Sequence, residues 1–159
     1  ENKNDFIAQI ANDNSDGQIV LSGKNNDLDK LISILKSNSI KNIKLPVSAP
    51  FHCGLMSSAT EIMKKEFERV SLSNGNNILI SNVTADEISD KDKLKELLID
   101  QIENKVRWRE SVNKMVNEGV NHFIEVGPGK VLSGLVKRIN RNVKISTINQ
   151  ESDIKDLKI

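Results

Sequence analysis

The second half of the chain alternates between two periodicities, and this alternation narrows the possible folds more than any other feature. Apolar runs that suit strands lie at 78–83, 123–126 and 143–148. Between and around them, apolar residues recur at helical spacing. Leu94, Leu97, Leu98 and Ile102 form one stripe. Trp108, Val112, Met115 and Val116 form the next, closed by Gly119. Val131, Leu132, Leu135, Val136 and Ile139 form a third. A switch from period 2 to period 3.6 and back predicts strands separated by helices, hence a mostly parallel sheet covered on both faces.

The first half is read in the same way. Residues 6–11 and 18–22 suit two strands around a turn cluster at 12–17, rich in Asn, Asp, Ser and Gly. Leu28, Leu31, Ile32 and Leu35 stripe a helix over 26–37, and 42–47 suits a third strand. Leu55, Ala59, Ile62, Met63, Phe67 and Val70 stripe a longer helix. The expected class is α/β.

Composition matters for what it excludes. With 159 residues, the chain can bury a core of its own. Hydrophobic residues at 37 % and charged residues at 28 % describe a globular chain rather than a disordered one. A net charge of +1 carries no footprint of nucleic acid or of a membrane surface. No apolar run approaches the roughly 18 residues of a membrane span. One cysteine rules out an internal disulfide and suits a reducing compartment. The chain opens on Glu1, so it is read as a piece of a longer protein.

Chemistry concentrates at Leu45-Pro46-Val47-Ser48-Ala49-Pro50-Phe51-His52. Two prolines end the preceding apolar run, and His52 stands just before a helix. An imidazole at such a junction can exchange protons near neutral pH. Cys53 next to it invites a Cys–His pair, but adjacent side chains rarely face each other. The spacing of His52, Cys53 and His122 matches no zinc pattern. Gly127-Pro128-Gly129-Lys130 lacks the spacing of a phosphate loop and suits a tight turn before a helix.

Three further blocks give the histidine its context: Gly17-Gln18-Ile19-Val20-Leu21-Ser22-Gly23, Gln101-Ile102-Glu103-Asn104-Lys105-Val106-Arg107-Trp108, and Phe123-Ile124-Glu125-Val126-Gly127-Pro128-Gly129-Lys130-Val131-Leu132. In this order and spacing, with the His52 block, they resemble the malonyl-CoA:acyl-carrier-protein transacylase family across nearly the whole chain. The resemblance implies the C-terminal half of such an enzyme. The nucleophile-bearing half is absent, because no G-x-S-x-G occurs here and the oxyanion-hole G-Q-G segment is missing. It further implies part of an α/β-hydrolase-like body over 48–159, with the remainder of a ferredoxin-like small subdomain over 1–47.

By resemblance, His52 is the base of a Ser–His ping-pong acyl transfer, and Gln101 offers its backbone carbonyl to that imidazole. Phe51 matches the position that goes with malonyl selection, although it could simply cover the edge of the core. Asn12 and Asn14 match asparagines on a loop facing the cleft, where turn formation would explain them equally well. Lys137 and Arg138 match a basic pair offered to the acidic carrier protein, against the alternative of a solvated helix end. Malonyl-CoA and acyl carrier protein are the implied partners, with no nucleic acid or membrane. The coenzyme A thioester is a substrate, no cofactor or metal is expected, and the implied setting is the cytoplasm. This fragment alone is expected to be inactive. The rival expectation is a non-catalytic module that binds acyl carrier protein.

Overall fold

A computed structural model describes residues 8–155 and 157. It is mixed α/β, with six strands and six helices among the described residues. Strand β1 (Ala8–Ser15) and strand β2 (Gln18–Gly23) form an antiparallel hairpin, followed by α1 (Asn25–Ser37). A 3-10 turn at Gly54–Met56 leads into α2 (Ser57–Glu68). Strands β3 (Leu79–Ile80) and β4 (Glu87–Ile88) form a very short hairpin before α3 (Lys91–Asp100). Next come α4 (Trp108–Asn117), β5 (His122–Val126), α5 (Val131–Ile139), β6 (Lys144–Ile148) and α6 (Glu151–Lys155).

Connection length decides the pairing. A parallel pair needs a crossover of a dozen or more residues, whereas a tight turn forces an antiparallel one. Among the described residues, the one parallel pair of strands is β5 with β6, joined through α5, with His122 opposite Lys144 and Val126 opposite Ile148. The other two pairs are closed by short turns and run antiparallel. The predicted, mostly parallel sheet is therefore represented by one pair among the described residues.

The apolar core sits around that pair. Val112 of α4, Val136 of α5 and Val143 form its buried centre. Trp108, Met115, Val116, Phe123, Ile139 and Ile145 pack against it. The stripe read on α4 thus faces the C-terminal part of the one read on α5, whereas Val131 and Leu132 of that second stripe stay exposed. Glu125, which interrupts the apolar run of β5, explains itself in three dimensions. Its carboxylate accepts from the backbone N–H groups of Leu132 (3.1 Å) and Ser133 (2.7 Å) and so satisfies two orphan donors at the start of α5. The turn between β5 and α5 needs Gly127 and Gly129, whose φ angles of 139° and 96° lie where a Cβ is strained.

Several expectations are corrected. Residues 12–15 belong to β1 and not to a turn, so Asn12 and Asn14 lie on a strand rather than on a loop. The turn is only Asp16-Gly17. Pairing on both sides overrides local turn propensity here, because Asn12 bridges Val106 in addition to its pairing with β2. The strand expected at 42–47 does not form. Pro46 removes a donor from it, and Ile43, Leu45 and Val47 stay exposed. The strand expected at 78–83 shrinks to two residues, because a turn takes over at Ser81. Strand β4 and helix α6 had no clear periodic signal. Phe6 and Ile7, from the first expected strand, lie outside the described residues. Among the described residues, no helix is long and apolar enough to cross a membrane.

Candidate active site

His52 is held by two successive carbonyls just beyond the end of α3. Its backbone N–H donates to the Ile102 carbonyl at 3.2 Å. Its ring Nδ1 lies 2.7 Å from the Gln101 carbonyl oxygen. A carbonyl only accepts, so this contact assigns the ring hydrogen to Nδ1 and leaves the Nε2 lone pair for other work. The residue adopts φ 59°, in the left-handed region, which turns the ring onto the helix end. His52 is half-buried and Phe51 beside it is exposed. Cys53 points the other way: it is fully buried, and its thiol donates to the Pro50 carbonyl at 3.2 Å.

The loop is fixed from a third side by a residue that the sequence did not single out. Gln9 of β1 accepts from the Gly54 N–H at 2.9 Å through its side-chain oxygen. Nothing in its local sequence marks it, since the contact joins segments 45 residues apart. Strand β1 is in turn tied to the segment after α3. Val106 N–H donates to the Ala11 carbonyl at 2.8 Å, and Asp13 N–H donates to the Val106 carbonyl at 2.9 Å.

Arg109 of α4 locks the same hairpin. It donates to both Asp13 oxygens, the shortest contact being 2.8 Å, and to Asp16 at 2.7 Å. Its hydrogen bonds to Asp13 and then to Asp16 hold the guanidinium above its ordinary range, so it stays charged throughout. This arginine is fully used inside the fold.

The remaining expected site residues are dispersed. Asn12 and Asn14 are half-buried on β1, on the face opposite buried Ala11, Asp13 and Ser15. Gln101 follows α3 directly, with its carbonyl toward the His52 ring. Lys137 and Arg138 end α5, and both are exposed yet engaged. Lys137 Nζ donates to the Arg141 carbonyl at 2.6 Å, closing the turn toward β6, and Arg138 bonds the Gln18 side chain of β2.

Comparison with known proteins places this arrangement. No protein-family model matches the chain. The malonyl CoA-acyl carrier protein transacylase of Bacillus subtilis is 43 % identical over 149 residues, which are 93 % of this chain and 47 % of that protein. The crystal structure of the transacylase of the same name from Clostridium perfringens superposes with a TM-score of 0.89 at 40 % identity. The match covers 95 % of this chain and 48 % of that one. A malonyl-transacylase solved in complex with a type II PKS acyl-carrier protein matches with a TM-score of 0.88 at 29 % identity, over 94 % of this chain and 49 % of its own. The chain thus spans about half the length of the relatives it matches. By sequence and by fold, the chain is similar to the malonyl CoA-acyl carrier protein transacylases along about half of their length.

Proposed function

We propose that this chain carries the histidine-bearing part of a malonyl-CoA:acyl-carrier-protein transacylase. The observation that supports it most is the 2.7 Å contact between His52 Nδ1 and the Gln101 carbonyl. With the hydrogen on Nδ1, Nε2 is free to take the proton of a serine hydroxyl. The serine oxygen attacks the malonyl thioester carbonyl, the coenzyme A sulfur leaves, and the imidazolium returns the proton to that sulfur. In the second half-reaction the phosphopantetheine thiol of acyl carrier protein attacks the serine ester, and the proton passes through His52 again. A carbonyl partner steadies the transient imidazolium, as a triad carboxylate would.

The serine is supplied from outside these 159 residues, since no G-x-S-x-G occurs in them. Phe51 would limit room for an α-methyl on the acyl group, Asn12 and Asn14 would border the cleft, and Arg138 with Lys137 would meet the acidic carrier. Residues 1–47 would contribute to a small subdomain and 48–159 to the hydrolase-like body. The chemistry calls for no metal or prosthetic group, and the reaction belongs in the cytoplasm.

A chimera tests the proposal. The matched stretch of the Bacillus subtilis enzyme is replaced by this chain, and transfer from malonyl-CoA to acyl carrier protein is measured. Transfer by the chimera, with none by the 159-residue chain alone, is expected. A folded chimera that binds carrier but transfers nothing would instead favour a non-catalytic carrier-binding module.

A further inference from the structure

Gln101 lies just past the last turn of α3, where helix ends fray and a carbonyl is least constrained by the helix itself. Yet the tautomer of His52 depends on where that carbonyl points. The Gln101 N–H still reaches the Leu97 carbonyl at 3.0 Å, which anchors one end of the residue. The other anchor is its side chain. Asn82 Nδ2 donates to Gln101 Oε1 at 3.3 Å.

Asn82 is itself tightly placed. Its carbonyl accepts from the Arg107 N–H at 2.9 Å, and the Arg107 guanidinium donates to the nearby Thr84 carbonyl at 2.7 Å. The turn that carries it is closed by Ala85 N–H on the Ser81 carbonyl at 2.9 Å and by Ser81 N–H on the Asp86 carbonyl at 2.9 Å. Ser81 and Ala85 are both buried. A closed circuit results. It runs from His52 to Gln101, to Asn82, to Arg107 and Val106, to β1, and through Gln9 back to Gly54, two residues after His52.

We infer that Asn82 is a positioning residue for the proposed base, acting through the Gln101 side chain to aim the Gln101 carbonyl at His52 Nδ1. This rests on the reading of His52 as that base. Asn82 does not touch His52, and it needs only its amide and its fixed backbone. The physical logic is that of an outer partner orienting an inner one.

The test reads the His52 tautomer in the 159-residue chain labelled with 15N in the histidine rings. Asn82→Leu keeps the branching at Cγ and removes the amide. Gln101→Met removes the other end of the same bond and leaves the backbone carbonyl in place. Each should lower the ratio of Nδ1–H to Nε2–H tautomer about three- to tenfold, the scale of one ordinary hydrogen bond. The double variant should fall no further, because both changes break one link. Gln101→Glu retains an acceptor for Asn82 and should keep the parent ratio.

Near-ultraviolet circular dichroism of Trp108 checks that each variant is folded. If Asn82→Leu unfolds, Gln101→Met alone decides. Folded variants with an unchanged ratio would overturn the role of Asn82 while leaving the His52–Gln101 contact intact. A parent chain with no preference for Nδ1–H would overturn that contact too, and with it the proposed base.

Discussion

The histidine loop and the β5–α5–β6 region are built from different interactions. Around His52, the order comes from hydrogen bonds between segments far apart in sequence: Gln9 to Gly54, His52 to Gln101 and Ile102, Asn82 to Gln101. Around β5 and β6, it comes from Val112, Val136 and Val143 and the apolar side chains against them. Hydrogen bonds are directional but contribute little net stability, about 1 kcal/mol each, because water competes for the same groups. Apolar burial has no direction but sums over area. One region therefore fixes where atoms point, and the other holds the chain folded. Variants of the two should fail in different assays.

The largest expected effect is on chemistry alone. In the chimera, His52→Ala should cut malonyl transfer by about 10²–10⁴-fold or more, the usual scale for removing a general base. Its melting temperature should barely move. A variant that loses activity only because it unfolds would erase the distinction between the regions. Phe51→Ser comes next. It should narrow the discrimination between malonyl-CoA and methylmalonyl-CoA by about 10–200-fold at most, the value of one methyl in a pocket. An unchanged ratio of the two kcat/KM values would make Phe51 a packing residue.

The mirror-image experiment acts on the other region. Val112→Ala should lower stability by about 2 kcal/mol, from lost burial and the cavity left behind, seen as a lower denaturant midpoint. The His52 tautomer ratio should stay unchanged in the folded fraction. If it shifts, the core and the loop are coupled.

The smallest effect concerns pH. Donors on Ser133, then on Leu132, hold the Glu125 carboxyl below its ordinary range. A folded-state pKa below the unfolded value stabilises above that unfolded value, and the gain is lost as pH falls through the folded one. Glu125→Gln should thus melt below the parent protein at pH 7. The gap should close as pH drops below about 4, the ordinary glutamate range.

The two regions were also legible to different degrees. The stripe on α4, the later part of the stripe on α5 and the β5 and β6 runs could be read because burial imposes periodicity on sequence, and these residues do form a core, while Val131 and Leu132 face out. The His52–Gln101 contact could be anticipated only through resemblance. Gln9 and Asn82 could not be read at all. A single polar side chain acting over 45 or 19 residues leaves no periodic trace. Local propensity actively misled at 12–15, where pairing with β2 and Val106 draws turn-prone residues into a strand. At 42–47 apolar content misled in the opposite sense, since a run of that kind needs a partner with free donors and acceptors to become a strand.

The backbone at His52 has a consequence beyond its hydrogen bonds. A left-handed φ of 59° is a conformation that glycine adopts freely and that costs other residues about 1–2 kcal/mol. By local backbone preference alone, position 52 should therefore favour glycine, which would relieve that cost but give up the ring's bond to the Gln101 carbonyl. A histidine kept there works against the fold's own interest. Selection for thermal stability in the laboratory, blind to the chemistry proposed for His52, would therefore weigh the backbone's relief against the ring's one bond and nothing else.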